Sequence, residues 1–177
     1  MSIDAPWPAS ATWHDLRRGE RRLRFVADER RRVEIAGRLE LEAVRRLEAE
    51  ITVAPWLDGI EIGGAVRAVV TRICGVSLEP FDETIDEPVQ VRLVPEGSPN
   101  APGRDAALLV VSADEEDPPE ETPGETIDLG GLVVEYVALG LSPFPRKPGV
   151  AFEPPAEQGL SSPFAALAAL KRTDDGG

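Results

Sequence analysis

Cys74 is the one residue of this chain suited to covalent chemistry, and a thiol attacks only as its thiolate, with a general base at hand. The sole histidine, His14, lies sixty positions earlier in a segment expected to be exposed, so a buried structural cysteine is the expectation rather than a Cys–His nucleophile. Zinc needs about four nitrogen or sulfur ligands, and one Cys with one His falls short. The acids of residues 114–121 lack the glycine and the spacing of a calcium loop and read as solvated charge. Gly130 and Gly131 could open a phosphate cradle, but no Walker lysine or GxGxxG accompanies them, and Asp128 puts negative charge where phosphate would sit. Close helix packing is their expected role. Trp7, Trp13 and Trp56 make a weak base-stacking set, with Trp56 expected in the core. No enzymatic activity, metal, cofactor or small-molecule substrate is expected.

Charge is distributed unevenly. Residues 1–50 carry eleven arginines against ten carboxylates, a net of +1, whereas residues 51–177 carry eight basic and twenty-two acidic groups, a net of −14. A surface so negative disfavours a broad RNA interface, since affinity for nucleic acid rests on neutralising phosphates. Arg17, Arg18, Arg21, Arg22 and Arg24 form the one stretch that could touch RNA, although pairing with nearby acids is the simpler expectation for the arginines of this region. The single Cys precludes an internal disulfide. With no basic leader and no run of about 20 apolar residues, a cytoplasmic chain without membrane contact is expected.

The elements that must position these residues follow from periodicity. Residues 1–10 are expected to be disordered, 11–172 to form one domain, and 173–177 to be a loose tail. Asp28 can cap a short helix ending at Gly37. From Leu39 to Val53 apolar residues recur at every second position, a strand pattern that Val44 and Arg45 break, with a helical alternative through Leu41, Val44, Leu47 and Ile51. Residues 55–59 form a turn, and the alternation of Ile60, Ile62, Val66, Ala68 and Val70 gives an antiparallel partner. Val89, Val91 and Leu93 predict a further strand between Pro88 and Pro95, and residues 106–111 an edge strand. Residues 112–125 predict an acidic flexible loop. Asp128 caps an apolar helix over about 128–141, with Leu129, Leu132, Val133, Tyr136, Val137 and Gly140 on one face. A proline-rich strap follows over 142–155, and Ser162-Pro163 starts a short C-terminal helix. The expected fold is α+β: a curved, mostly antiparallel sheet or partly closed β-barrel, with the apolar helix packed on or plugging its apolar face.

Two stretches go beyond composition. CGVSLEPFDETIDEPVQVRLVP (74–95) and IDLGGLVVEYVALGLSPFPRKPG (127–149) resemble the signature blocks of the YceD family, C-x-x-C-L-x-P and I-D-L-G-x-L-V-x-E-x-x-A-L-x-L with a P-x-P segment after it. The closing SPFAALAALK resembles the family's C-terminal N/S-P-F-x-x-L-x-x-L-K, and with the ADERRRVEIAG helix (27–37) counted in, the resemblance covers most of the chain from about Trp13 to Arg172. It departs at Ser77, which occupies the second Cys position, so no paired-cysteine role can operate here.

The resemblance implies a bacterial, non-enzymatic factor, with plastid relatives, needed for accumulation of large-subunit (23S) ribosomal RNA. A basic ribosomal protein or assembly factor is the expected partner, with RNA contacted indirectly; direct rRNA binding through the Arg-rich segment is the alternative. The candidate binding surface comprises Arg72, Cys74, Leu78, Glu79, Pro80, Phe81, Asp128, Glu135, Pro143, Pro145, Arg146 and Lys147.

Overall fold

The computed structural model describes residues 3–4, 7, 10–102 and 117–152. In chain order the elements are β1 (Ile3–Asp4), β2 (Ser10–Thr12), α1 (Trp13–Leu16), β3 (Arg21–Val26), α2 (Glu29–Arg38), β4 (Ala43–Trp56), β5 (Gly59–Ile73), β6 (Pro80–Pro95), β7 (Glu120–Thr122), β8 (Thr126–Asp128) and α3 (Leu129–Leu139). Six strands form one sheet in the order β1-β3-β4-β5-β6-β7, while β2 and β8 pair separately. The pairs β3–β4, β4–β5 and β5–β6 are antiparallel; β1 and β7 add parallel to the two sides.

Alternation decides which face is buried. Phe25, Leu47, Ile51, Val53, Ile60, Ile62, Val66, Val70, Ile85, Val89 and Leu93 share one face and are almost wholly buried. Trp13 and Leu16 of α1, Ile35 and Ala36 of α2, and Leu129, Val133, Val134 and Val137 of α3 belong to the same core. The opposite face carries charges in cross-strand pairs, among them Arg67–Asp86 at 3.3 Å, Arg92–Glu61 at 2.9 Å and Arg24 with Glu48 and Glu50 at 3.8 Å. The mostly antiparallel sheet is the expected one, but among the described residues it is open: its outermost strands, β1 and β7, do not pair with each other, so no barrel closes there.

Several local expectations change. Gly37 does not end α2; the helix runs one residue further, Leu39 caps it, and Glu40 takes the left-handed conformation (φ 55°). The strand reading of residues 39–53 prevails over the helical one, and the break at Val44 and Arg45 is a β-bulge. β6 begins at Pro80, eight residues before Pro88, and Pro88 pairs within it opposite Ala65. A proline is accommodated there because, among the described residues, β7 flanks β6 only at Leu93–Pro95, so residue 88 lies on an edge. α3 stops at Leu139, and it buries Val134 as well, while Leu132 and Tyr136 are only half-buried.

Order also reaches into both segments expected to lack it. β1 pairs with Leu23 and Arg24, and Trp7 meets Phe25 edge-on with ring centroids 5.5 Å apart. In the acidic stretch Glu120–Thr122 pairs as β7, and the Glu121 carboxylate accepts from the Gly97 N–H at 2.9 Å. The expected strand at 106–111, the C-terminal helix from Ser162 and the tail at 173–177 lie outside the described residues.

Candidate functional site

The two sequence blocks meet in space. β5 ends at Ile73 and the chain turns through Cys74–Glu79 into β6, closed by bonds from Cys74 N–H to the Glu79 carbonyl (2.9 Å) and from Leu78 N–H to the Cys74 carbonyl (3.0 Å). Leu78 adopts φ 59° at this turn, and its side chain is 75% exposed. The segment after α3 lies against the turn: Gly75 N–H donates to the Pro145 carbonyl at 2.9 Å, and the Lys147 ammonium pairs with the Glu79 carboxylate at 2.7 Å.

Cys74 sits at the junction with no accessible surface. Its Sγ accepts N–H bonds from Val76 (3.4 Å), Ser77 (3.4 Å) and Lys147 (3.3 Å), so one sulfur ties the turn to the strap. The Ser77 side chain, then the backbone N–H groups of Ser77 and Lys147, favour the thiolate and bring the thiol from 9.0 down to about 6, against the opposing effect of desolvation. The sulfur holds turn and strap together and has no accessible surface. His14 is exposed on α1 and makes no contact with it among the described residues. Glu79 is held below the ordinary carboxylate value by its bond to, and the charge of, Lys147.

A second clamp lies beside the first. The Arg72 guanidinium donates to the Glu83 carboxylate at 2.9 Å and to the Ser142 carbonyl at 2.6 Å, while Ser142 N–H donates back to Glu83 at 3.1 Å. The end of α3 is thereby pinned to the sheet. Gly140 completes the fit, since a Cβ there would press on Ile85. On the other side of the sheet Arg45 donates to the Thr71 hydroxyl, which donates to Asp82, a chain of bonds across β4, β5 and β6 that the bulge at Arg45 makes possible.

Of the residues proposed from sequence, Cys74, Glu79 and Lys147 are joined directly, Pro145 accepts from the neighbouring Gly75, and Arg72 belongs to the second clamp with Glu83 and Ser142. Leu78, Pro80, Phe81, Pro143 and Arg146 border them, and Arg146 turns back to bond the Val150 carbonyl at 3.1 Å. Asp128 does not join the cluster: it caps the far end of α3 through a 2.8 Å bond from Gly131 N–H, and Glu135 points to solvent. Glu83 and Ser142 were not foreseen; their signal was the strand register that places Glu83 two residues from the partner of Arg72.

Among the alternative RNA-contact residues, Arg17 bonds the Asp58 carbonyl, Arg22 lies 3.7 Å from Glu20, and Arg24 is engaged with Glu48 and Glu50; Arg18 and Arg21 are exposed. The tryptophans form no stacking platform. Trp13, not Trp56, is the core member, and Trp56 is half-buried beneath the Arg92 guanidinium, 5.1 Å from its ring. Among the described residues no three His, Cys, Asp or Glu side chains are grouped to hold a metal, and no helix is long and apolar enough to cross a membrane.

No curated protein and no solved structure gives a significant match to the chain. Residues 62–171, more than half of the sequence, match the family described as large ribosomal RNA subunit accumulation protein YceD. That span begins in β5 and includes the Cys74 turn, β6, α3 and the strap, which are the parts that carry both clamps. The chain therefore belongs to the YceD family, whose name denotes a role in accumulation of large-subunit ribosomal RNA.

Proposed function

We propose that this protein is a non-enzymatic, cytoplasmic ribosome-biogenesis factor that supports the synthesis, processing or stability of 23S rRNA by binding a ribosomal or assembly protein. The family membership of residues 62–171 carries the reading. Charge supports a protein rather than an RNA as the direct partner: residues 51–177 have a net charge of −14, which attracts basic ribosomal proteins and repels phosphate backbones. The burial of Cys74 supports a binding rather than a catalytic role, because its sulfur is spent on three backbone N–H groups. Direct rRNA contact has less support, since Arg17, Arg22 and Arg24 are already engaged.

The test is a sucrose-gradient profile of cells lacking the protein, blotted in parallel for a tagged wild type. A deficit of large subunits with the protein on precursor fractions is expected. A normal profile with the protein at the top of the gradient would overturn the reading. Charge reversal of Arg18 and Arg21 is expected to leave precursor association intact, and its loss would favour direct RNA contact.

A further inference from the structure

The outer edge of β6 has an unusual construction. β6 extends from Pro80 to Pro95, yet among the described residues β7 covers its outer side only at Leu93–Pro95. Antiparallel strands bond through alternate residues, so one fixed bond sets the direction of all the others. The Cys74 N–H to Glu79 carbonyl bond continues the β5–β6 register by one pair. Odd-numbered residues of β6 therefore bond to β5, and even-numbered ones turn their N–H and C=O outward. Two observations agree: Tyr136 donates its hydroxyl to the Gln90 carbonyl at 3.1 Å, and Pro88, with no N–H to give, occupies an even position.

The outward groups of Asp82, Thr84 and Asp86 form a short template bounded by two residues that cannot donate, Pro80 and Pro88. All three side chains are exposed on the same face, and although Asp82 accepts from the Thr71 hydroxyl through one oxygen and Asp86 pairs with Arg67 through one, each carboxylate has a second oxygen that can accept from an incoming cation. A second copy of β6 is a poor occupant, because antiparallel pairing about Thr84 would set Asp82 of one chain opposite Asp86 of the other. A basic strand meets the opposite condition. Negative charge continues along the edge: burial first, and then the charges of Glu120, Glu87 and Asp117, hold the Tyr136 hydroxyl above its ordinary value.

We propose that the β6 edge from Asp82 to Asp86 receives an extended basic segment of a partner protein as an added antiparallel strand, with two Lys or Arg four positions apart facing Asp82 and Asp86. The segment is about five residues, or ~17 Å, long. The inference deepens the reading above by naming the chemistry of the partner, and it rests on that reading for its biological setting.

Amide exchange in the full-length protein tests it, with an acetylated Arg-Val-Thr-Val-Arg peptide as the probe. In the free protein the amides of Asp82, Thr84 and Asp86 should exchange fast while those of Phe81, Glu83 and Ile85 are protected; saturation with peptide should slow the three fast ones at least tenfold. The same peptide N-methylated on alternate backbone nitrogens keeps its charge but cannot pair, and should bind at least tenfold more weakly. Thr84→Pro removes one outward N–H without touching a bond to β5, and Asp86→Lys reverses one exposed charge; each should weaken binding to a similar extent. Unchanged exchange at the three amides, or equal affinity for the N-methylated peptide, would overturn the proposal. So would a wild-type dimer in sedimentation equilibrium that Thr84→Pro dissolves. In depleted cells, a folded Thr84→Pro variant that restores large subunits as wild type does would sink the edge proposal and leave the biogenesis role standing. Failure of wild type to join precursors would sink the role alone.

Discussion

Arg72 and Glu83 lie 2.9 Å apart with their side chains only 16% and 17% exposed, and both also bond the backbone of Ser142. Loss of either partner leaves a half-buried charge and frees the end of α3. Arg72→Ala is expected to cost about 2–3 kcal/mol in denaturant unfolding. The Arg72→Ala, Glu83→Ala double-mutant cycle should show about 1–2 kcal/mol of coupling, and simple additivity would mean that the clamp contributes nothing as a unit.

The Cys74 thiol, held near 6 in the folded state, should titrate there by thiolate absorbance at 240 nm. Its folded value lies below its unfolded one, so its stabilisation is full above the unfolded value near 9.0 and is lost as pH falls through about 6. Wild type should therefore gain stability over Cys74→Ala as pH rises from 6 to 9. Alkylation of the native protein should nevertheless be slow, because the sulfur has no accessible surface. Fast labelling under native conditions would revive a nucleophilic role.

Two glycines should respond to alanine with opposite signs. Gly37 lies in α2 with nothing within 4 Å of an added Cβ, so Gly37→Ala should stabilise the protein by about 0.5–1 kcal/mol. At Gly140 an added Cβ would lie 2.5 Å from Ile85 Cγ2, so Gly140→Ala should destabilise it by about 1–3 kcal/mol. Thermal unfolding of the two variants against wild type reads both effects.

Trp13 anchors the turn between β7 and β8, with its indole N–H 3.1 Å from the Gly124 carbonyl and its backbone N–H 3.2 Å from that of Glu125. Trp13→Phe should cost about 1–2 kcal/mol by removing the indole bond. It should also hasten cleavage after Glu125 by a glutamate-specific protease, and an unchanged cleavage rate would show that the backbone bond alone holds the turn.

The sequence by itself determined the parts whose cause is local. Period-two alternation placed β4 and β5 and their buried face, because side chains alternate across a strand whatever it pairs with. Asp28 and Asp128 were readable as helix caps since a cap reaches only three residues ahead, as the 2.8 Å bonds to Arg31 and Gly131 show. The motif blocks fixed the family.

Only the tertiary structure decided the rest, because it depends on neighbours far apart in sequence. Pro88 argued against a strand at residue 80 until the edge position of β6 removed the penalty of its missing N–H. The acidic segment gained order at Glu120–Thr122 through pairing with Leu93–Pro95. Cys74 was recognisable as a buried residue, but its bond from Lys147, 73 positions away, came from the path of the strap. Glu83, unremarkable in sequence, became half of a clamp once the β5–β6 register set it beside Arg72 and brought Ser142 to both. Local propensity cannot encode such meetings; they follow from the way one apolar sheet face collects its helices and the chain that leaves them.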